Sequence, residues 1–316
     1  MSVGATGNGR SHPLVFRDVT CRFGDVVALN RVSLELDAGI TALVGPNGAG
    51  KSSFMKVATG HVRAASGTVT AFGEPVWDNP RVLSRIGFVP EQDAFYEQLT
   101  GVEFVAELAT LSGIPAGEAK AVAEAELTAL GLVEAWDRPI KTYSKGMRQR
   151  VKLAQALAHG PDLLFLDEPL LGCDPIARRR IQDRLAGLAR EGCTILMASH
   201  ILPEVERLTR RVAVLAAGRL VAQGDAGQVR DALTQIPSRV RIQTGAPRAV
   251  AADVSGWEDI HSVRIQSNAV EIETTRLRAT LERLQGQRGR TWALRGIETL
   301  DADLDSLFGY LAEGSP

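Results

Sequence analysis

The run Gly45-Pro46-Asn47-Gly48-Ala49-Gly50-Lys51-Ser52-Ser53 follows directly on an apolar, β-type stretch, Thr41–Val44, and opens a segment that reads as a helix. Strand, glycine-rich loop and helix in that order leave few folds open. The glycines let successive backbone N–H groups curl toward one point, and the helix adds the positive end of its dipole there, so the loop is built to hold phosphate. Lys51 is expected to reach the β- and γ-phosphates of a nucleoside triphosphate, and Ser52 to offer its hydroxyl to Mg2+. A glycine-rich turn that matched by chance would need both the strand before it and the helix after it to be coincidences.

The surrounding pattern is that of an α/β protein with a mostly parallel sheet covered by helices. Val15–Val19, Val32–Leu36, Thr41–Val44, Ile86–Val89, Leu163–Leu166, Thr194–Ala198 and Val212–Leu215 read as strands. Between Gly101 and Leu130 come two helices rich in Ala, Glu and Leu, broken at Ser112-Gly113-Ile114-Pro115. They read as part of a helical insertion spanning about 93–160. After about Gln235 the order becomes βαββαβ: strands Val240–Gln243, Val263–Gln266, Val270–Glu273 and Thr291–Leu294, with helices Ala246–Asp253 and Arg276–Gln285. That order predicts a small α+β domain of ferredoxin-like type over 236–316, closed by a helix at Leu304–Leu311. Residues 1–13 are expected to be a flexible lead-in and 14–235 the main domain.

Composition removes several classes. With 36 Lys+Arg against 37 Asp+Glu, the formal net charge of −1 gives no field for nucleic acid or an anionic membrane. Cys21, Cys173 and Cys193 are too few and too scattered for a disulfide framework or a zinc knuckle, which fits a reducing compartment. No apolar run approaches the ~20 residues that span a bilayer as a helix, so if a solute crosses a membrane, another chain provides the path.

Leu163-Leu164-Phe165-Leu166-Asp167-Glu168-Pro169 is a fully apolar strand ending in two acids. Ligands sit at the C-terminal ends of strands in open α/β sheets. Asp167 is then expected at Mg2+ and Glu168 as the general base that polarises an attacking water. Neighbouring side chains on a strand point oppositely, so the two acids can divide these roles if the chain turns, as Pro169 suggests.

Tyr143-Ser144-Lys145-Gly146-Met147-Arg148-Gln149-Arg150, upstream of that acidic pair and at a helix start, resembles the signature motif of ATP-binding cassette proteins. Pro90-Glu91-Gln92-Asp93 is similar to the family's glutamine loop and Ala198-Ser199-His200 to its switch histidine; the five elements stand in the family's order across 15–229. The resemblance implies a P-loop NTPase cassette with antiparallel N-terminal strands, a mostly parallel core sheet and a helical subdomain. It implies ATP and Mg2+ as ligands, Gln92 at the metal and in contact with a membrane partner, and His200 at the γ-phosphate. Phe23, in Arg22-Phe23-Gly24, stands where the family has an aromatic residue stacked on adenine; ordinary core packing is the competing reading. Ser144 and Gly146 would serve the ATP of an opposite subunit, and Asp174, in Leu171-Gly172-Cys173-Asp174-Pro175, matches the segment crossing that interface.

Departures from the pattern are Lys145 and Met147, where the family has Gly and Gln, and Leu171 and Cys173, where it has Ser and Leu. The Ser-Lys-Gly-Met form resembles that of two-component exporters, as does the tail segment Asp303-Leu304-Asp305-Ser306-Leu307-Phe308. The implied protein is an ATP-hydrolysing subunit that pairs with a second such subunit and sits on the cytoplasmic side of the cell membrane through a permease, in the direction of export. The rivals are an import ATPase and a soluble cassette ATPase acting on ribosome or DNA. Two cassettes in one chain or a long coiled-coil interruption would mark the latter; neither is present, and no nucleic-acid partner is expected. Arg178-Arg179-Arg180 and Arg210-Arg211 read as solvated faces, and Trp77 and Trp136 as core or subdomain packing.

Overall fold

The computed structural model describes residues 12–199, 205–226, 238–286 and 292–300. The chain forms two compact units that divide between Gln223 and Gly224, with the short stretch Gly45–Asn47 grouped with the second. The expected boundary at 235/236, the terminal helix Leu304–Leu311, His200 and most of the 1–13 lead-in lie outside the described residues.

The first unit holds two sheets. One has the order β2-β1-β4-β5, made of β1 (Leu14–Phe23), β2 (Val26–Leu36), β4 (Ser66–Ala71) and β5 (Glu74–Pro75), in antiparallel pairs. The other runs β10-β9-β3-β8-β7-β6, from β10 (Arg219–Asp225) and β9 (Arg211–Ala216) through β3 (Ile40–Val44), β8 (Thr194–Ser199) and β7 (Leu163–Asp167) to β6 (Ile86–Val89). From β9 to β6 the neighbours are parallel. Every residue of β3, β7 and β8 is buried, which is why those strands read as unbroken apolar runs. The strands that pattern reading missed, β4, β5 and β10, are mostly half-exposed and carry Gly, Pro and polar residues.

Helix α1 (Lys51–Ala58) follows β3, and its Phe54 stacks on Phe16 of β1 with ring centroids 4.1 Å apart, joining the two sheets through one apolar core. The short α2 (Pro80–Leu83) leads into β6. The helical subdomain contains α3 (Gly101–Leu111), α4 (Ala116–Ala129) and α5 (Lys145–Leu157), and α6 (Pro175–Arg190) returns the chain to β8. The break between α3 and α4 falls at the expected Ser112–Pro115, and Thr100 and Glu103 form a reciprocal capping box at the α3 start.

Register sets the chemistry. In the order β3, β8, β7, β6 the C-terminal ends are level: Val44 pairs with Ser199, Asp167 with Ala198 and Val89 with Leu166. The phosphate loop, the acidic pair and the glutamine loop therefore all leave one edge of one sheet.

The second unit is β11 (Ser238–Thr244), α7 (Pro247–Val254), β12 (Ile260–Gln266), β13 (Ala269–Thr274), α8 (Leu277–Gln285) and β14 (Leu294–Thr299), with sheet order β12-β13-β11-β14. The βαββαβ order holds, but the last strand is not Thr291–Leu294. Ala293 takes a left-handed φ of 42° and Trp292 is a core plug, 2% exposed, with its ring 6.1 Å from that of Trp257 and its Nε1 donating to Asp253 at 2.7 Å. The apolar character that suggested a strand there belongs to core packing, and pairing starts at Leu294. Trp77 also departs from expectation: it is 46% exposed and not core.

Candidate functional site

The phosphate loop has the backbone that its glycines imply. Gly48 and Gly50 have φ of +79° and +103°, and a Cβ on Gly50 would lie 2.5 Å from the Ala28 carbonyl oxygen, so only glycine fits. Gly50 also caps α1, its carbonyl accepting from Phe54 N–H at 2.8 Å. The turn between β9 and β10 braces the loop, with Gly218 N–H donating to the Ala49 carbonyl at 2.9 Å. Gly45 is buried, Pro46 half-buried and Asn47 exposed. Lys51 is buried, 7% exposed, while Ser52 and Ser53 are half-buried in the first turn.

Asp167 ends β7 with 4% exposure, and the Ser52 hydroxyl hydrogen-bonds to it. Burial raises the Asp167 pKa; the Ser52 hydrogen bond, Lys51 and Lys56 oppose the rise, and Glu91 adds to it. Ser52 and Asp167 thus offer the hard oxygen donors that Mg2+ takes alongside phosphate oxygens and waters. Among the described residues no group of three or more His, Cys, Asp or Glu could hold a metal ion.

The chain turns at Glu168, one residue before the proline that suggested a turn. Glu168 has φ +51° and its N–H donates to the Ala198 carbonyl at 3.1 Å. A left-handed non-glycine residue is strained, and here it directs two adjacent carboxylates to different places. Asp167 is buried beside Ser52; Glu168 is half-exposed.

Gln92 is exposed and lines, with Ser52, Glu91, Lys152 and Asp167, a cavity of about 770 Å3. Ser144, Gly146 and Asp174 are not among its lining residues. They form a second group. Ser144 is the exposed N-cap of α5, its Oγ accepting from Met147 N–H at 3.3 Å, which leaves its O–H as a donor. Gly146 packs against the segment before α6, where a Cβ would come within 3.1 Å of the Gly172 carbonyl oxygen. Asp174 caps α6, accepting from Ala177 and Ile176 N–H at 2.8 and 2.9 Å, and these bonds hold its pKa down. The departures from the family pattern meet here: the Lys145 stem lies over Gly172, where an added Cβ would come 2.6 Å from Lys145 Cδ. The glycine is the space in which that lysine sits.

Phe23 is 46% exposed at the end of β1, paired with Val26 across the β1–β2 turn. Its ring is at the surface, which argues against core packing.

Sequence reading missed the polar groups that link these parts. Gln149, 5% exposed, donates from Nε2 to the Glu168 carbonyl at 3.4 Å. Arg148 grips Glu97 through two bonds of 2.6 and 2.8 Å, which lowers the Glu97 pKa and raises that of Arg148. Lys152 bonds the carbonyls of Pro90 and Glu91 and the Asp93 carboxylate. The available signal was a pair of polar residues, Gln149 and Lys152, on the buried face of an amphipathic helix.

Beside the glutamine loop, Phe95, Tyr96, Leu99, Phe104, Leu108 and Leu111 line an apolar groove of about 720 Å3. Tyr96 and Leu111 are 72% and 82% exposed. No helix among the described residues is long and apolar enough to cross a membrane.

Comparison with known proteins adds four findings. A family model described as ABC transporter matches residues 29–171. An uncharacterized ABC transporter ATP-binding protein of Nostoc sp. is 41% identical over 202 residues, covering 63% of this chain and 60% of that protein. The Nod factor export ATP-binding protein I of Burkholderia lata is 38% identical over 214 residues, 67% of this chain and 70% of its own. A solved structure described as the ATP binding subunit of an ABC transporter superposes with a TM-score of 0.63 at 29% identity, over 69% of this chain and 92% of that one. The chain thus spans about three fifths of the Nostoc relative's length.

Proposed function

Because the chain belongs to the ABC transporter family, we propose that it binds and hydrolyses MgATP as the ATP-binding subunit of an exporter, pairing with a second ATP-binding subunit on a separate membrane permease. The observation that carries this reading is the level edge of β3, β7 and β6, which puts the phosphate loop, the divided acids Asp167 and Glu168, and Gln92 on one side of one sheet.

On this reading the loop N–H groups and Lys51 hold the triphosphate, and Phe23 stacks on adenine. Ser52, Asp167 and Gln92 would hold Mg2+, which neutralises charge on the β- and γ-phosphates. Glu168 takes a proton from water as its oxygen attacks the γ-phosphorus; the bond to the ADP oxygen breaks, and ADP leaves with the bonding pair. His200, by the family resemblance, would add a contact to the γ-phosphate. Ser144, exposed at the N-terminus of α5, and Gly146 would serve the nucleotide of a second subunit, with Asp174 at the start of α6 on the interface. The apolar groove with exposed Tyr96 and Leu111 is the surface a permease would cover, and its position beside Gln92 would let occupancy of one site be felt at the other. The export direction draws on the Burkholderia relative and on the Ser-Lys-Gly-Met signature.

Glu168→Gln tests the reading. Gln keeps the size of Glu and cannot accept the proton, so hydrolysis should fall ~10²–10⁴-fold with ATP binding retained. With ATP left bridging Lys51 and Ser144 of the partner subunit, size-exclusion chromatography should show an ATP-dependent dimer. Adding Ser144→Arg should abolish that dimer. A wild-type rate in Glu168→Gln removes Glu168 as the base; a variant that stays monomeric at saturating ATP removes the composite site.

A further inference from the structure

We propose that Lys152 is a positioning residue for hydrolysis: its buried ammonium sets the place of Gln92 by bonding the residues on both sides of it. Lysine is a residue that ordinarily extends its charge to water. Here the side chain is only 6% exposed and turns inward. An ammonium has three donors, and three oxygens meet it: the Pro90 carbonyl at 3.0 Å, the Glu91 carbonyl at 2.9 Å and Asp93 Oδ1 at 3.0 Å. Those three residues flank Gln92, whose own side chain stays exposed. The loop around Gln92 is therefore fixed through its backbone while its functional amide is displayed toward the cavity shared with Ser52 and Asp167.

The anchor is α5, and its other contacts give the link meaning. One turn earlier, Arg148 holds Glu97 at 2.6 Å and approaches Asp93 at 3.9 Å, so two successive turns of the helix grip the same loop. Gln149 of the same helix reaches the Glu168 carbonyl. Ser144 caps its N-terminus. One rigid helix thus touches the residue proposed as base, the loop proposed to complete the metal site and the serine proposed to face a second subunit's nucleotide. Coupling through a rigid element is strong only where the joints are stiff, and a buried ammonium with all three donors engaged is a stiff joint. Removing it would let Gln92 drift while the triphosphate stays held by the phosphate loop, and displacements near 1 Å cost up to ~10²-fold in rate.

The inference rests on the proposed role of Gln92, and a double-mutant cycle separates the two. Lys152→Met replaces the ammonium with an apolar chain of similar length. Steady-state ATPase of the full chain should show kcat lowered about tenfold with KM for ATP within about twofold, and a higher Mg2+ concentration at half-maximal rate. Gln92→Ala should fall similarly, and Lys152→Met/Gln92→Ala should be no slower than Gln92→Ala, because both act through one group. A multiplicative fall in the double variant, or a wild-type kcat in Lys152→Met, overturns the inference while leaving the nucleotide site intact. A wild-type rate and Mg2+ dependence in Gln92→Ala would instead remove the role of Gln92, and this inference with it. Should Lys152→Met fail to fold, Asp93→Asn, at a carboxylate 41% exposed, carries the test. It should lower kcat in the same direction and non-additively with Gln92→Ala, and additivity or a wild-type rate there overturns the inference equally.

Discussion

The two units bury different things. Among the described residues the buried charged side chains are Lys51, Lys152 and Asp167, all in the first unit: Lys51 at the start of α1, Asp167 at the end of β7 and Lys152 on α5 against the glutamine loop. Among the described residues of the second unit the buried polar side chains are Thr244, Thr274 and Thr280, whose hydroxyls are satisfied within it: Thr244 donates to the Trp292 carbonyl, and Thr274 and Thr280 lie 2.7 Å apart. Burying a charge is costly unless it is paired, and a core that needed only stability would use apolar residues there. The first unit accepts that cost at three positions and the second at none of its described positions. The asymmetry fits the proposed site in the first unit, and the described core of the second is held by packing.

The largest expected effect comes from Lys51→Ala. Removing a preorganised cation from developing phosphate charge should cost ~10²–10³-fold in rate, and MgATP affinity should fall with it. Fluorescent-nucleotide titration and a circular-dichroism melt together decide the case: a folded variant that binds MgATP as the wild type does would overturn the assignment of the loop.

Second comes Trp292→Ala, which strikes the other unit. The side chain is 2% exposed, packs on Trp257, over which Arg283 lies at 4.1 Å, and donates to Asp253. Truncation should cost ~3–5 kcal/mol in that unit, read by denaturant unfolding. ATPase should stay within twofold of wild type under conditions where both proteins are folded. A collapse of hydrolysis would show that the charge-free core takes part in the catalytic unit after all.

Legibility follows the same division. The phosphate loop, the acidic pair and the break between α3 and α4 were readable because each depends on local rules: glycine for positive φ, an apolar run for a strand buried on both faces, turn residues between helices. The strand at Thr291–Leu294 was misplaced because an apolar stretch around Trp292 looks alike whether it pairs or plugs a core. The turn at the acids was readable from Pro169, but that Glu168 makes it in a left-handed conformation was not, because nothing in its side chain announces it. Lys152 and its three oxygens were invisible for a third reason: their partners lie about sixty residues away in the chain, at Pro90, Glu91 and Asp93.

The smallest effect concerns Asp167, whose carboxyl is pushed above its ordinary 3.8 by burial, against the pull of Ser52, Lys51 and Lys56. A carboxyl with a raised pKa binds its proton more tightly folded than unfolded, so in metal- and nucleotide-free buffer it lowers stability as pH rises from 3.8 to the folded value, with no further loss above it. Asp167→Asn keeps the shape and removes the charge. In that buffer near neutral pH the variant should melt above the wild type, and the gap should close as pH falls toward 3.8. Differences of this kind shift Tm by ~2–4 °C per kcal/mol in a unit of roughly 150–250 residues, which scanning calorimetry resolves. MgATP should reverse the order, because the carboxylate that is a liability in the empty protein becomes a partner for the cation, and ligand binding stabilises only the form that binds. A variant that melts below the wild type in the metal-free buffer would mean that the charge on Asp167 is already compensated by Ser52 and Lys51; a variant stabilised by MgATP as much as the wild type would remove Asp167 from the metal site.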